Sequence, residues 1–250
     1  MKLGKCHIGT SGWCYAHWAK GRFYPKGLKQ GDWLSFFARQ FGTVEINSSF
    51  YRLPKVEMFT RWRDVTGPRF RLAVKLWRRI THEKRLVDCA AALDDFLAAA
   101  GQLGPKRGPL LVQLPPSMRK DVGLLEAFLA DLKRAMGRVR WKVAVEFRDT
   151  GWLCDPVYEL LDRRGVALCL ADLERCPIAE PNDARFVYIR RHGPGGRYRG
   201  CYSPKHITDD AGRIRGWLAA GRDVYVYYNN DVEGHAVDNA RQLIAAVGAG

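Results

Sequence analysis

Eight times along the chain a short run rich in Val, Ile, Leu and aromatic residues stops at a polar or charged residue, and a helix-like stretch usually follows. The apolar runs fall at 5–10, 43–49, 70–76, 109–114, 141–147, 166–171, 185–190 and 223–228. They are continuous rather than alternating, as expected of strands covered by helices on both faces of a parallel sheet. Between them apolar residues return at spacings of three and four, the helical period. Asp32 precedes Trp33, Phe36, Phe37 and Phe41, and reads as the cap of a helix with an aromatic face. Further helices are expected at 56–65 and 86–103. Asp121 opens another, with Leu124, Leu125, Phe128, Leu129, Leu132 and Met136 on one side. Asp155-Pro156 reads as a cap followed by a first-turn proline. A last helix carries Val237, Ala240, Leu243, Ile244 and Val247.

Strand and helix alternating eight times predict an α/β fold, a TIM-type (β/α)8 parallel barrel. The irregular stretch 173–183 is expected to stand in place of the helix after strand six. The 250 residues suit one such domain, spanning 1–250, since these barrels commonly take about 250 residues. An open doubly wound sheet is the alternative, weakened because no Gly-x-Gly-x-x-Gly follows the first strand.

A barrel directs attention to the carboxyl ends of its strands, where reactive groups gather. The chain places unusual residues there: Glu45 and Asn47 after strand two, Lys75 after strand three, Gln113 after strand four, and Glu146 and Arg148 after strand five. Asp172 follows strand six, Arg190 and His192 strand seven, and Asn229, Asn230 and Asp231 strand eight. Residues two apart on a strand share a face. Glu45 with Asn47, Glu146 with Arg148, and Arg190 with His192 are therefore expected to enter the mouth in pairs. A carboxylate inside apolar strands needs a partner, and Lys75, Arg148 and Arg190 are the cations at hand. A packing network of ions would explain one such charge; polar groups ending seven strands favour a site.

Charge narrows the partner. The formal net charge of +15 and a pI of about 9.7 favour polyanions. A phosphorylated small molecule or nucleic acid is the expected partner class. The loop after strand one interleaves Trp13, Tyr15, His17, Trp18, Lys20, Arg22, Phe23, Tyr24 and Lys26. Such a loop can stack bases or pack as a lid. The stretch from Arg190 to Gly200 combines glycines with arginines, a candidate anion loop. Seven scattered cysteines without a Cys-x-x-Cys pair read as reduced thiols. No apolar run is long enough to span a membrane, and no signal peptide is evident at the start. The chain reads as a cytoplasmic protein without a membrane partner, of open oligomeric state.

Several blocks occur together in order: Gly9-Thr10-Ser11-Gly12-Trp13, VEINSSFYRLP at 44–54, ITHEKRL at 80–86, QLPPS at 113–117, AVEFRDTGW at 144–152 and YNND at 228–231. This ordered set resembles the YecE family, domain of unknown function 72, over nearly the whole chain. The resemblance implies a TIM barrel and no particular reaction, with barrel nucleases and sugar isomerases as analogies of fold. The chain departs from the family pattern at Asp149, where the family favours His, which puts any chemical role of that position in question.

The leading expectation is a barrel that binds a phosphate-bearing ligand, nucleic acid or nucleotide, with hydrolytic acid–base chemistry in view. Arg148, Arg190 and Lys75 would hold the anion, Glu45 and Glu146 would serve as base and acid, and Asn47, Gln113 and Asn229 would orient the ligand. Asp172 joins the catalytic set, and Trp13, His192 and Asn230 the binding set. A divalent-metal isomerase or nuclease using Glu45, Glu146, Asp172, Asp231 and His192 is the alternative; no cofactor is evident, and three cations in the same mouth disfavour a metal. A glycosidase and a non-catalytic nucleic-acid-binding barrel complete the readings.

Overall fold

The structure, a computed structural model, describes residues 3–19 and 21–248. In chain order the elements are β1 (Cys6–Thr10), α1 (Trp33–Gln40), β2 (Thr43–Ile46), α2 (Ser48–Tyr51), α3 (Val56–Asp64), β3 (Arg71–Lys75), α4 (Ala90–Ala100), β4 (Arg107–Gln113) and α5 (Val122–Met136). They continue with β5 (Val143–Glu146), α6 (Asp155–Arg164), β6 (Ala167–Leu173), β7 (Cys176–Ile178), β8 (Phe186–Arg191), α7 (Pro204–Ala219), β9 (Asp223–Tyr228) and α8 (His235–Gly248). Eight strands run parallel in the order β1-β9-β8-β6-β5-β4-β3-β2. One bridge, Ser11 to Glu45, brings β2 back to β1, so the barrel is nearly closed. The TIM-type fold expected from the alternation is the fold observed.

The interior explains the closure. Along each strand alternate residues turn inward. On β3, β5 and β6 these are small, Ala73, Ala144, Ala167 and Cys169, with Leu111 between them on β4; on β8 and β9 they are Phe186, Tyr188, Tyr225 and Tyr227, and the hydroxyls of Tyr188 and Tyr227 reach across to Glu45 and Thr43 on β2. Small opposite large fills a narrow barrel without voids. Gly9 lets β1 approach β2, for a Cβ there would sit 2.1 Å from the carbonyl oxygen of Thr43. The second core lies outside the sheet, between strands and helices.

Local differences from the sequence pattern have local causes. Strand two stops at Ile46, not 49, because the Ser49 hydroxyl, 3.0 Å from the carbonyl of Ile46, donates to that of Lys75 at 2.7 Å and the chain turns into the short helix α2. The helix expected from 86 begins at Ala90, since Arg85, Leu86 and Asp88 adopt positive φ, 49°, 70° and 46°, which a right-handed helix excludes. Strand five covers only Val143–Glu146, leaving Arg148 beyond its end. Asp121 does cap α5, accepting from the Leu124 amide at 2.9 Å. Asp32 stands at the cap of α1 without a side-chain bond, and Asp155 lies inside α6 with Cys154 at the cap. Ile244, expected on the buried face of α8, is exposed. After β6 there is no helix: β7 folds back antiparallel on β6. All seven cysteines are free thiols. No helix among the described residues is long and apolar enough to cross a membrane.

Candidate functional site

A cavity of about 710 Å³ opens at the carboxyl ends of the strands. Of the residues singled out in the sequence, Trp13, Asn47, Lys75, Gln113, Arg148, Arg190 and Asn229 line it. Tyr15, Phe50, Arg78, His82, Tyr198 and Asp231 are also in its wall. Glu45 and Glu146 lie beneath them with no exposure at all.

The floor is an ion network centred on Arg190. Its Nε donates to Glu45 Oε2 at 3.1 Å, and its Nη2 donates to Glu45 Oε1 at 2.9 Å and to Ser11 Oγ at 3.1 Å. Nη1 donates to Glu146 Oε2 at 2.6 Å and faces His192 Nε2 at 3.3 Å. A guanidinium has five N–H donors, and all five of these are engaged. The carboxylates are equally occupied. Glu45 also accepts from the hydroxyls of Ser11 and, at 2.6 Å, Tyr188. Glu146 accepts from Arg148 Nε through its other oxygen. Burial alone would raise the Glu146 carboxyl; the guanidiniums of Arg148 and Arg190 outweigh it and hold the group well below the usual carboxylate range.

This arrangement revises what the sequence suggested. Arg190 keeps no donor for a ligand. Glu45 and Glu146 can act as base and acid only by first releasing their guanidinium partners. The sequence also passed over Ser11 and Tyr188. Tyr188 sits two residues before Arg190, and the strand period pointed to it.

Asp172 is not in the mouth. It accepts from the His192 amide at 2.7 Å and from the Tyr202 hydroxyl, and lines a separate crevice with Arg191 and Asp210. The reason is register: Ala171, its neighbour, pairs with Arg190 on the inward side, so Asp172 points outward. His192 is fully buried and links the two regions, with Nδ1 3.4 Å from Asp172 Oδ1. Because Arg190 can only donate to Nε2, the ring proton belongs on Nδ1, facing Asp172. Asn230 is buried too, donating to Gly200 O at 2.8 Å and Asn239 Oδ1 at 3.0 Å. Among the described residues no three His, Cys, Asp or Glu side chains are grouped to hold a metal.

The wall facing β3 and β4 is more open. Gln113 fixes its amide by donating to Leu114 O at 2.8 Å, and Nε2 lies 3.4 Å from His82 Nε2. His82 Nδ1 lies 2.8 Å from Thr81 Oγ1. Burial first, then Lys75 and nearby arginines, lower the His82 imidazole to about 4. Asn47 donates to Ser11 Oγ at 2.7 Å, and its Oδ1 is buried without a partner.

The two loops divide differently from expectation. In the first, Trp18, Phe23 and Tyr24 are buried in the protein itself, Tyr24 stacking on Trp33 at 4.6 Å, while Trp13 and Tyr15 face the cavity. Lys20 lies outside the described residues. In the second, Gly193 and Gly196 meet protein backbone, for a Cβ would stand 2.1 Å from Arg199 O and 2.3 Å from Glu174 N. The amides of Gly196 and Tyr198 donate to the carbonyls of Gly193 and His192, so those groups are not free to cradle an anion. Tyr198 instead reaches the mouth, where its hydroxyl accepts from Arg148 Nη1 at 2.5 Å. Asp149 accepts from the Gly151 amide at 3.0 Å and from Arg119 Nη1 at 2.7 Å. Much positive charge lies elsewhere: a depression of about 760 Å³ at the amino ends of β5 and β6 carries Lys133, Arg138, Arg140, Arg163 and Arg164.

The sequence profile described as "Protein of unknown function DUF72" matches residues 7–250. The UPF0759 protein YecE of Escherichia coli (strain K12) is 33% identical over 192 residues, 75% of this chain; the match spans 66% of YecE's length, just under two thirds. The UPF0759 protein YunF of Bacillus subtilis (strain 168) is 24% identical, covering 95% of this chain and 93% of YunF. The crystal structure of a DUF72 family protein from Thermotoga maritima matches with a TM-score of 0.85 at 25% identity, covering 98% of this chain and 99% of that one.

Proposed function

Because this chain belongs to the DUF72 family, and membership specifies no reaction, we propose a function from the cavity itself: the barrel mouth binds a small phosphate-bearing ligand of nucleotide or sugar-phosphate size. The observation that carries this reading is the division of roles in the ion network. Arg190 and the two glutamates satisfy one another in the floor, while Arg148, which pairs with Glu146 through one edge, and Arg78, whose Nε lies 3.3 Å from Glu83, line the wall. Arg148 uses Nε and Nη1 on Glu146 and Tyr198, and its Nη2 has no acceptor among the described residues. A guanidinium edge held by two neighbours and open on the third is a pre-organised donor for a phosphate oxygen. A volume of about 710 Å³ lies within the range of small-molecule sites, about 300–1,000 Å³. Trp13 and Tyr15 offer ring faces, and Asn47, Gln113 and Asn229 offer directional hydrogen bonds.

Calorimetric titration with inorganic phosphate, AMP and dihydroxyacetone phosphate tests the reading. Saturable binding is expected, weakening with salt and falling at least about tenfold in Arg148→Met, the loss of one charge-assisted bond. Wild-type protein that binds none of the three, or a variant of unchanged affinity, would refute it. A second reading, non-catalytic binding of a polyanion, is favoured by the cations at the amino end of the barrel. It predicts oligonucleotide binding that is lost in an Arg138→Ser, Arg140→Ser double variant and unaffected by Arg148→Met.

A further inference from the structure

Lys75 ends β3 with its side chain in the same cavity, and the network leaves it out. The residue is 8% exposed, yet its amine has no hydrogen-bond acceptor and no carboxylate within ion-pair distance among the described residues. Its Nζ lies 3.9 Å from the centroid of the Phe50 ring. That ring is held in place by the Ser49 hydroxyl, which ties α2 to the Lys75 carbonyl at 2.7 Å. Glu45 and Glu146 face Lys75 from β2 and β5 but are committed to the guanidiniums. Arg190 faces it from β8, Arg148 from beyond β5, and His82, Arg78 and Gln113 complete its surroundings. The two carboxylates and two guanidiniums largely cancel, so burial decides, and it lowers the Lys75 amine to about 7. The face of the Phe50 ring attracts an ammonium and holds the amine in place, opposing the effect of burial, but it supplies neither an acceptor nor a countercharge. A lysine meant to attack gains a free electron pair near neutral pH.

We propose that Lys75 is a nucleophile that forms a Schiff base with a carbonyl group of the ligand, which makes the substrate class an aldehyde or ketone carrying a phosphate. The carbonyl part follows from Lys75 alone; the phosphate part rests on the reading of the mouth given above. The Nζ electron pair attacks the carbonyl carbon, a C–N bond forms, and the π pair moves to oxygen. That oxygen takes a proton and nitrogen releases one, giving the neutral carbinolamine. A second proton on the hydroxyl lets the C–O bond break and water leave as the nitrogen pair forms C=N. The sum is amine plus carbonyl plus one proton giving protonated imine plus water, with no oxidant or reductant. Protons come from solvent at the open mouth, beside the neutral His82 ring.

Reductive trapping tests this. Wild-type protein is incubated with sodium cyanoborohydride and either dihydroxyacetone or dihydroxyacetone phosphate, and the adducts are mapped by peptide mass spectrometry. Hydride adds to the imine carbon and leaves a stable secondary amine. The expected result is preferential labelling of Lys75 with both probes, at least tenfold above Lys205, whose side chain is 83% exposed and serves as the internal control. Lys75→Arg should lose that adduct while the labelling of Lys205 stays as in wild type. If Lys205 and other surface lysines label as fast as Lys75 with both probes, the nucleophile is refuted. If Lys75 labels selectively but no faster with the phosphorylated probe, the nucleophile stands and the phosphate reading falls. Because the mapping is done on the wild-type chain, a poorly folding variant does not compromise the result.

Discussion

Arg190 grips Glu45 at two points, Nε to Oε2 at 3.1 Å and Nη2 to Oε1 at 2.9 Å, across 145 residues of chain. Both side chains are out of solvent, at 1% and 0% exposure. The fork crosses the mouth from β8 to β2, and Glu146 closes it from β5.

Removing Arg190 should therefore be far worse than losing a surface ion pair. Arg190→Met leaves Glu45 and Glu146 buried without their main counter-ion, and breaking a buried pair in this way costs about 3–5 kcal/mol. Arg190→Lys should recover little, since an ammonium cannot make the two-point contact. Urea unfolding at pH 7 measures both, and a loss below about 1 kcal/mol for Arg190→Met would contradict the network.

Acid should weaken the fold through Glu146. Its carboxyl is held well below its unfolded value by Arg148 and Arg190, against the opposing effect of burial. The unfolded chain then binds the extra proton first, so this contribution is complete above the unfolded carboxyl value of about 4.3 and shrinks as pH falls below it. Wild-type stability is expected to drop between pH 5 and pH 3 more steeply than that of Glu146→Gln, which is weaker at pH 7 but lacks this titration. Parallel slopes for the two proteins would show that Glu146 is not the linked group.

Gly9→Ala should open the seam. The added Cβ would lie 2.1 Å from the Thr43 carbonyl oxygen, and backbone cannot yield as a flexible side chain can. Because β1 and β2 are joined by a single bridge, separation there also strains the bond between Ser11 and Glu45. A loss of about 2 kcal/mol or more is expected, in the range for overpacked sites, with a fall in thermal midpoint. An alanine variant of wild-type stability would mean that the seam is looser than described.

Asp172→Asn separates stability from ligand binding. Asp172 supports the His192 amide and the Tyr202 hydroxyl but lines a different crevice. Losing a charge-assisted acceptor should cost about 1–3 kcal/mol while phosphate affinity in the mouth stays within about twofold. A tenfold loss of affinity without a stability change would place Asp172 functionally in the mouth.

Much of this protein was legible in its sequence. Strand 223–228 is observed at those bounds, the alternation leads to the barrel, and the ordered motifs point to the family to which the chain belongs. The strand period also brings Glu45, Glu146 and Arg190 together, and applied one residue further it would have turned Asp172 and Asn230 away from the mouth. It carries no sign of Phe50 over Lys75, because α2 is four residues long and held by tertiary bonds from Ser49.

Apolar periodicity acts over a few residues, and from it the sequence determined strands, helices and the rim where charges collect. Which charges neutralise which was decided only by the tertiary structure. Ion pairing and desolvation depend on distances of a few ångströms between strands far apart in the chain. Those distances assign Arg190 to the glutamates, leave an edge of Arg148 open, and isolate the Lys75 amine against a ring.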